Sequence, residues 1–176
     1  MFAERRSIRR FKKTEVEDAK LEKILEAARW APSWANTQCC ELVVVKNDAI
    51  KKQLSEVLSP KNPATLAVEN APVVIVVCGA NGKAGFYNGK ALTKFEDWLM
   101  YDLGIYTENI CLSAHQQGLG TVIVGAFDHD KAADILKVPQ SHEVVAILPL
   151  GYPDHSPSPP KRKAMEDFIH HDQFGG

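Results

Sequence analysis

Hydrophobic positions change their spacing several times along the chain, and each change predicts an element. Leu21, Ile24, Leu25 and Ala28 recur at helical intervals, which predicts a helix over residues 15–31. Thr14 and Glu17 stand at capping-box spacing before it, and Pro32 stops it. ELVVVK (41–46) and VVIVVC (73–78) are short β-branched runs that predict buried strands, with a helix over 48–58 between them. A long helix over 95–117 ends at Gly118, and GLGTVIVGAF then predicts a third strand. Residues 128–137 read as helix up to the Val138-Pro139 step, and EVVAILPLGYP (143–153) reads as a fourth strand. PDHSPSPPKRK holds four of the ten prolines, so it predicts an extended connector. Beyond it, Met165, Phe168, Ile169 and Phe174 are apolar residues in a polar tail and need cover.

Composition narrows the class. With 176 residues, 45% of them hydrophobic and 24% charged, the chain has the content of one ordinary globular domain. Its 21 basic residues nearly balance 22 acidic ones, so no net field favours a nucleic acid or an anionic membrane as partner. No apolar run is long enough to span a bilayer, and MFAERRSIRR carries charge where a secretory signal needs a hydrophobic stretch. The expectation is a cytoplasmic protein. Cys39, Cys40, Cys78 and Cys111 lack metal-ligand pairing, and the six histidines show no HxxxH or HExxH spacing, so reduced thiols and no metal site are expected.

Against that balance, RRSIRRF (5–11) is a local concentration of positive charge. It suits either a polyanion-binding arm or a pocket for one phosphate. Other nucleotide signatures fail. GLG at 118–120 precedes a strand instead of opening a helix, GANGKAG (79–85) lacks the Lys-Ser/Thr pair of a P-loop and reads as a flexible loop, and no G-x-S-x-G elbow occurs.

Four stretches taken in order carry a resemblance: RRSIRRF, then AARWAPSWANTQ (27–38), then ENICLSAHQQGLGTVIVGAFD (108–128), then LPLGYPDHSPSPPKRKAMEDFI (148–169). Together they resemble the FMN-dependent nitroreductase family, over nearly the whole chain. The resemblance implies an α+β fold: a mixed, mainly antiparallel central sheet flanked by helices. It also implies one FMN-binding domain over residues 1–176, with a C-terminal arm (160–176) exchanged in an intertwined homodimer.

The resemblance gives the arginines a task that chemistry favours, because guanidinium groups hold a phosphate dianion through paired hydrogen bonds. Arg5 and Ser7, with Arg6 beside them, are the expected phosphate and ribityl contacts. Arg9 is similar to the family's basic residue near flavin N1 and O2, where a cation favours the reduced ring. Pro32, Ser33 and Asn36 are expected to reach the flavin of the neighbouring subunit. Members commonly continue with Gln-Pro-Trp, whereas this chain has Gln38-Cys39-Cys40. An N–H of Gly125 or Ala126 is expected to face flavin N5, and Lys161 and Lys163 are similar to a second basic cluster that returns to the phosphate. Phe86, Tyr87, Phe95 and Trp98 are candidates for an apolar substrate wall with Lys90 as a charge sensor, or equally for core and interface packing.

The implied activity is reduction of an electron-poor acceptor (a nitroaromatic, a quinone or a flavin) by NADH or NADPH, the two occupying one site in turn. Because the cofactor supplies the chemistry, no catalytic side chain is assigned. A flavin-binding protein on the same scaffold without NAD(P)H-driven turnover is the alternative. A basic-arm nucleic-acid protein is disfavoured by the charge balance.

Overall fold

Every residue of Val73–Gly79 in the second strand is buried, because this strand lies between two others and has helices on both faces. The computed structural model describes residues 1–175. Its main sheet has the order β1-β2-β6-β5, formed by β1 (Cys40–Val45), β2 (Val73–Ala80), β5 (Gly120–Thr121) and β6 (His142–Gly151), all paired antiparallel. A separate hairpin joins β3 (Phe86–Tyr87) to β4 (Lys90–Ala91). The α+β, mainly antiparallel expectation therefore holds, the mixed component being a single parallel bridge from Ser7 to Thr121.

Side chains of a strand alternate between faces, and two cores result. Val73, Ile75 and Val77 of β2 join Leu148 and Leu150 of β6 on one face, covered by α1 (Asp18–Arg29) and α4 (Leu99–Gln116). Val74, Val76 and Cys78 join Ile147 on the other, covered by α2 (Asp48–Glu56), α3 (Thr65–Asn70) and α5 (His129–Leu136). Leu21, Ile24 and Ala28 are the buried positions of α1, which is the stripe that the helical spacing predicts. None of the helices among the described residues is long and apolar enough to cross a membrane.

Several boundaries differ from the sequence reading. The capping box at Thr14 does not form: α1 begins at Asp18, and Glu17 is its N-cap without a side-chain cap bond. Helix α4 starts at Leu99, not at 95, because Glu96 has φ +58° and the Trp98 N–H donates to Ala84 O at 3.1 Å. Asp97 closes that start, accepting from Leu99 N at 2.8 Å and from Gly82 N at 2.9 Å, so the 79–85 loop is tied down at its tip. The expected third strand is reduced to Gly120–Thr121 plus a bridge from Val124 to Ile147. Thr121 faces Leu150 and Val124 faces Ile147 in one continuous register, so Val122 falls opposite Pro149. The paired bonds between Val124 and Ile147 would recur two residues on, but Pro149 has no N–H to give there.

Candidate functional site

The arginine strip is laid against the end of the sheet. The Ile8 N–H donates to Thr121 O at 2.9 Å, and Ile8 is buried over Gly120. A Cβ at Gly120 would stand 2.5 Å from Ile8 Cγ1, so only glycine allows this approach. Further along, the Lys12 N–H donates to Tyr152 O at 2.9 Å and the Asp154 N–H to Arg10 O at 3.0 Å. The connector after β6 thus starts beside the strip. Arg5 and Arg6 border a cleft of about 390 Å³ together with His115, Thr121 and His155.

The four arginines are not equivalent. Arg5 is half-buried, with Nε 3.8 Å from Glu108 Oε1. The Arg6 guanidinium is turned back, its Nη1 donating to Ala3 O at 2.7 Å and Arg5 O at 2.8 Å. Arg9 and Arg10 are exposed and have no ion pair among the described residues. His155 brings a buried Nδ1 without a hydrogen-bond partner among the described residues, and His115 lies 3.9 Å from Glu4. Neither histidine was singled out from the sequence; the long-range folding of the connector onto the strip is what places them.

The second group is the 32–38 loop, in which Pro32 and Asn36 are exposed and Ser33 is half-buried. Ala35, Asn36 and Gln38 have φ of +44°, +55° and +49°. For residues with a Cβ, each such left-handed conformation costs about 1 kcal/mol or more, least for asparagine. The loop is closed by Asn36 N–H to Ser33 O at 3.0 Å, Thr37 N–H to Trp34 O at 2.8 Å and Gln38 N–H to Ser33 Oγ at 3.0 Å. The Ser33 hydroxyl therefore already accepts a bond and has its own proton left to donate. Behind the loop lies Asp102 of α4, 2% exposed, which accepts from Trp34 N at 2.9 Å and 3.1 Å through its two oxygens. Burial first, and then the Asp102 carboxyl, push the Cys39 thiol above its ordinary range. Burial also pushes Cys40 up, and Cys78 up to about 11, so these thiols are held as unreactive packing groups.

Gly125 and Ala126 form the third group. Both are exposed, neither N–H has an acceptor among the described residues, and nothing lies within 4 Å of where a Gly125 Cβ would be. Val124 O accepts from Ile147 N at 2.9 Å, which fixes the peptide plane of the Gly125 N–H, and the Ala126 carbonyl is held by Ser59 N at 3.0 Å and Asn62 Nδ2 at 3.1 Å, which anchors the chain just beyond. Leu99 and Met100 share the hollow beside Gly125.

The aromatic candidates divide. Trp98 packs between Trp34 at 5.0 Å, Tyr101 at 5.2 Å and Phe95 at 6.2 Å, and its indole N–H donates to Thr93 Oγ1 at 2.7 Å. Phe86, Tyr87 and Lys90 stand on the small hairpin, with Tyr87 68% exposed and Lys90 exposed. Trp34 and Tyr101, missed in the sequence, link the 32–38 loop to the substrate-wall candidates within one chain. Lys161 and Lys163 are exposed in the tail, and neither has an ion pair among the described residues. Neither lysine lines the cleft beside Arg5.

Known proteins give this arrangement a context. A sequence profile described as the Nitroreductase family matches residues 2–152. An NADH dehydrogenase of Thermus thermophilus is 30% identical over 190 residues, covering 94% of this chain and 91% of that protein. A nitroreductase family protein of Clostridium novyi NT has a solved structure with TM-score 0.77 and 34% identity, covering 86% of this chain and 84% of that one. An FMN-dependent nitroreductase of Clostridium difficile R20291 superposes with TM-score 0.83 at 28% identity, covering 99% of this chain and all of the other. The profile spans most of the sequence, and the chain belongs to the nitroreductase family.

Proposed function

We propose that this protein is an FMN-dependent oxidoreductase that uses NADH or NADPH to reduce an electron-poor acceptor such as a nitroaromatic, a quinone or a flavin. It does so as a cytoplasmic homodimer built from one domain over residues 1–176, with the 160–176 segment as an exchanged arm. The observation that carries the reading is the open edge at Gly125 and Ala126: two N–H groups unpaired among the described residues, with open space where a Gly125 Cβ would stand. A flat ring with an acceptor atom on its edge satisfies both features at once.

The remaining groups fit the rest of an FMN molecule. Arg5 and Ser7 offer a cation and a hydroxyl beside the Thr121 end of the sheet, Arg6 adds charge, and the unpartnered His155 Nδ1 offers one more polar contact to the cleft. Bound FMN would supply the hydride chemistry between the nicotinamide and the acceptor. The protein's part is to orient and to bias. Gly125 or Ala126 donates to N5, and Arg9, exposed and without an ion pair among the described residues, offsets the negative charge near N1 and O2. Ser33 donates its remaining proton, and Asn36 its amide, to the flavin of the neighbouring subunit, with Pro32 as an apolar contact. Lys161 and Lys163 return to the phosphate. Phe86, Tyr87, Phe95 and Trp98 wall the acceptor site, with Lys90 at its rim.

Assembly as a dimer is favoured by the apolar residues that one chain leaves uncovered. Met165, Phe168, Ile169 and Phe174 of the tail are 67%, 57%, 37% and 95% exposed, and α4 presents Met100 and Tyr101 outward. The cytoplasmic placement rests on four free thiols, three of them buried, which suit a reducing compartment. Anaerobic titration tests the function. Purified protein is expected to be yellow, to release FMN on denaturation and to bleach with NADH or NADPH. Colourless protein that takes up no FMN overturns the reading. Yellow protein that neither nicotinamide bleaches is a flavin carrier without turnover.

A further inference from the structure

Asp102 is the one buried acidic side chain among the described residues, and its two oxygens converge on a single backbone amide. It lies in the first turn of α4, whose other inward positions there are Leu99, Leu103 and Tyr106. An apolar residue would fill that place in the helix as well. No lysine, arginine or histidine pairs with it among the described residues; its partners are the Trp34 N–H and the Cys39 thiol, whose Sγ is 3.5 Å from Oδ2. Burying a carboxyl group without a cation is unfavourable unless its oxygens are hydrogen-bonded. Both partners belong to the loop and its exit into β1, so the carboxyl group serves the loop and not the helix.

The loop needs such a fixture. Three of the four residues Ala35–Gln38 sit in the left-handed region although none is glycine. The loop's internal bonds define its curl but do not attach it to the body. Attachment comes from the Asp102 contact and from the Trp34 ring against Trp98, 5.0 Å between centroids. The Thr37 hydroxyl is buried and without a partner among the described residues, so the loop's own polar groups do not secure it.

We propose that Asp102 is a positioning residue: its carboxyl group clamps the Trp34 amide and holds the strained 33–38 loop in the shape that presents Ser33 and Asn36 to the flavin. The clamp acts through Trp34 and does not touch the cofactor. This rests on the FMN reading above, and the test separates the two. The body of the protein survives the loss of the clamp, because α4 remains anchored by Leu103, Ile110 and Ala114 in the core.

The experiment compares wild type with Asp102→Ala, Asp102→Asn and the double variant Asp102→Ala/Ala35→Gly. Amide exchange of Trp34 is read in flavin-free protein, and FMN affinity by fluorescence titration. Asp102→Ala is expected to unfold cooperatively, to exchange the Trp34 amide faster and to weaken FMN binding roughly 10- to 100-fold. Asp102→Asn keeps an acceptor for that amide and is expected to recover much of the loss. Glycine adopts a positive φ without strain, so Ala35→Gly in the double variant is expected to restore part of the affinity, which a purely structural role of Asp102 would not produce. Unchanged Trp34 exchange in the double variant, which has no acceptor at position 102, overturns the clamp, even where Asp102→Ala alone fails to fold. Faster exchange with unaltered FMN affinity overturns the link to the cofactor. Wild-type protein that binds no FMN refutes the proposed function and with it the clamp's role towards the cofactor, while faster Trp34 exchange in Asp102→Ala then still supports the clamp itself.

Discussion

The two faces of the sheet are built alike and finished differently. On the α2/α3/α5 side, Leu54, Val68, Val76 and Ile147 fill a core, and Leu66 is the large apolar residue left well exposed on those helices. The α1/α4 side has an equally buried core, yet its outer surface carries Trp30, Phe95, Met100 and Tyr101 at 73%, 66%, 67% and 63% exposure. The buried acid, the strained loop and the aromatic cluster are on that side too. One side is complete within a single chain, whereas the other keeps strain, a buried carboxyl without a cation among the described residues, and apolar surface, the features that a stability-only sequence would lack.

If that contrast is functional, the largest effect comes from removing cofactor contacts. Replacing Arg5 and Arg9 together with alanine is expected to give folded protein purifying largely without FMN, since each charge-assisted bond to a phosphate or a reduced ring contributes about 1.5–3 kcal/mol. Full flavin content in that variant, read from its absorbance spectrum, would break the assignment. Next come paired core truncations. Ile110 and Leu54 are both fully buried, one on each side, and Ile110→Ala and Leu54→Ala are each expected to cost about 2–5 kcal/mol in urea unfolding. A much smaller value for one would show that the two cores are not equivalent.

Surface variants sharpen the comparison further. Tyr101→Glu is expected to weaken the dimer by about tenfold or more in sedimentation, as loss of a buried aromatic anchor does, and Leu66→Glu to leave it intact. Deleting residues 164–176 should lower dimer content and FMN occupancy together; an intact yellow dimer after the deletion would make the tail an appendage. The smallest effect belongs to Glu26 on α1. Hydrogen bonds from Arg29 and then from Trp30 hold its carboxyl down at about 2, against an ordinary 4.5. A lowered folded-state value means that the contribution is present above pH 4.5 and disappears as pH falls towards 2. Glu26→Gln should therefore be slightly less stable than wild type at neutral pH and equal to it at pH 2, as measured by denaturation midpoints.

Legibility followed the range of the forces involved. The runs at 41–46 and 73–78 announced β1 and β2, but only β2 is buried on both faces; β1, at the edge of the sheet, is buried at Val45 alone, so its apolar run overstated its burial. Helix α1 showed its stripe. Helix α3 was missed, since six residues at Thr65–Asn70 are too few to display a period. The start of α4 was misplaced because Trp98 and Phe95 fit a helical spacing, whereas the backbone there is turned by Asp97 and Glu96. Pro149 was visible in the sequence, but its missing donor matters only once Val122 is known to lie opposite. In the candidate site, the arginine strip stood out as local charge. The bond from Trp34 to Asp102 spans 68 residues, and no local pattern announces it.

The anchoring of the arginine strip has a consequence for the order of biosynthesis. Residues 8–12 leave the ribosome long before their partners, yet they take their places only against Thr121, Tyr152 and Asp154. Some 140 residues separate Lys12 from Tyr152, which is roughly 7–28 s of synthesis at about 5–20 residues per second. The sheet's central pairing of β2 with β6 waits for the same late segment. Throughout that interval the strip's backbone lacks the partners it bonds in the folded chain, and no nascent chain ending before residue 154 can close it. A strip made early is thus put in place late, after the segment that ends the sheet has been synthesised.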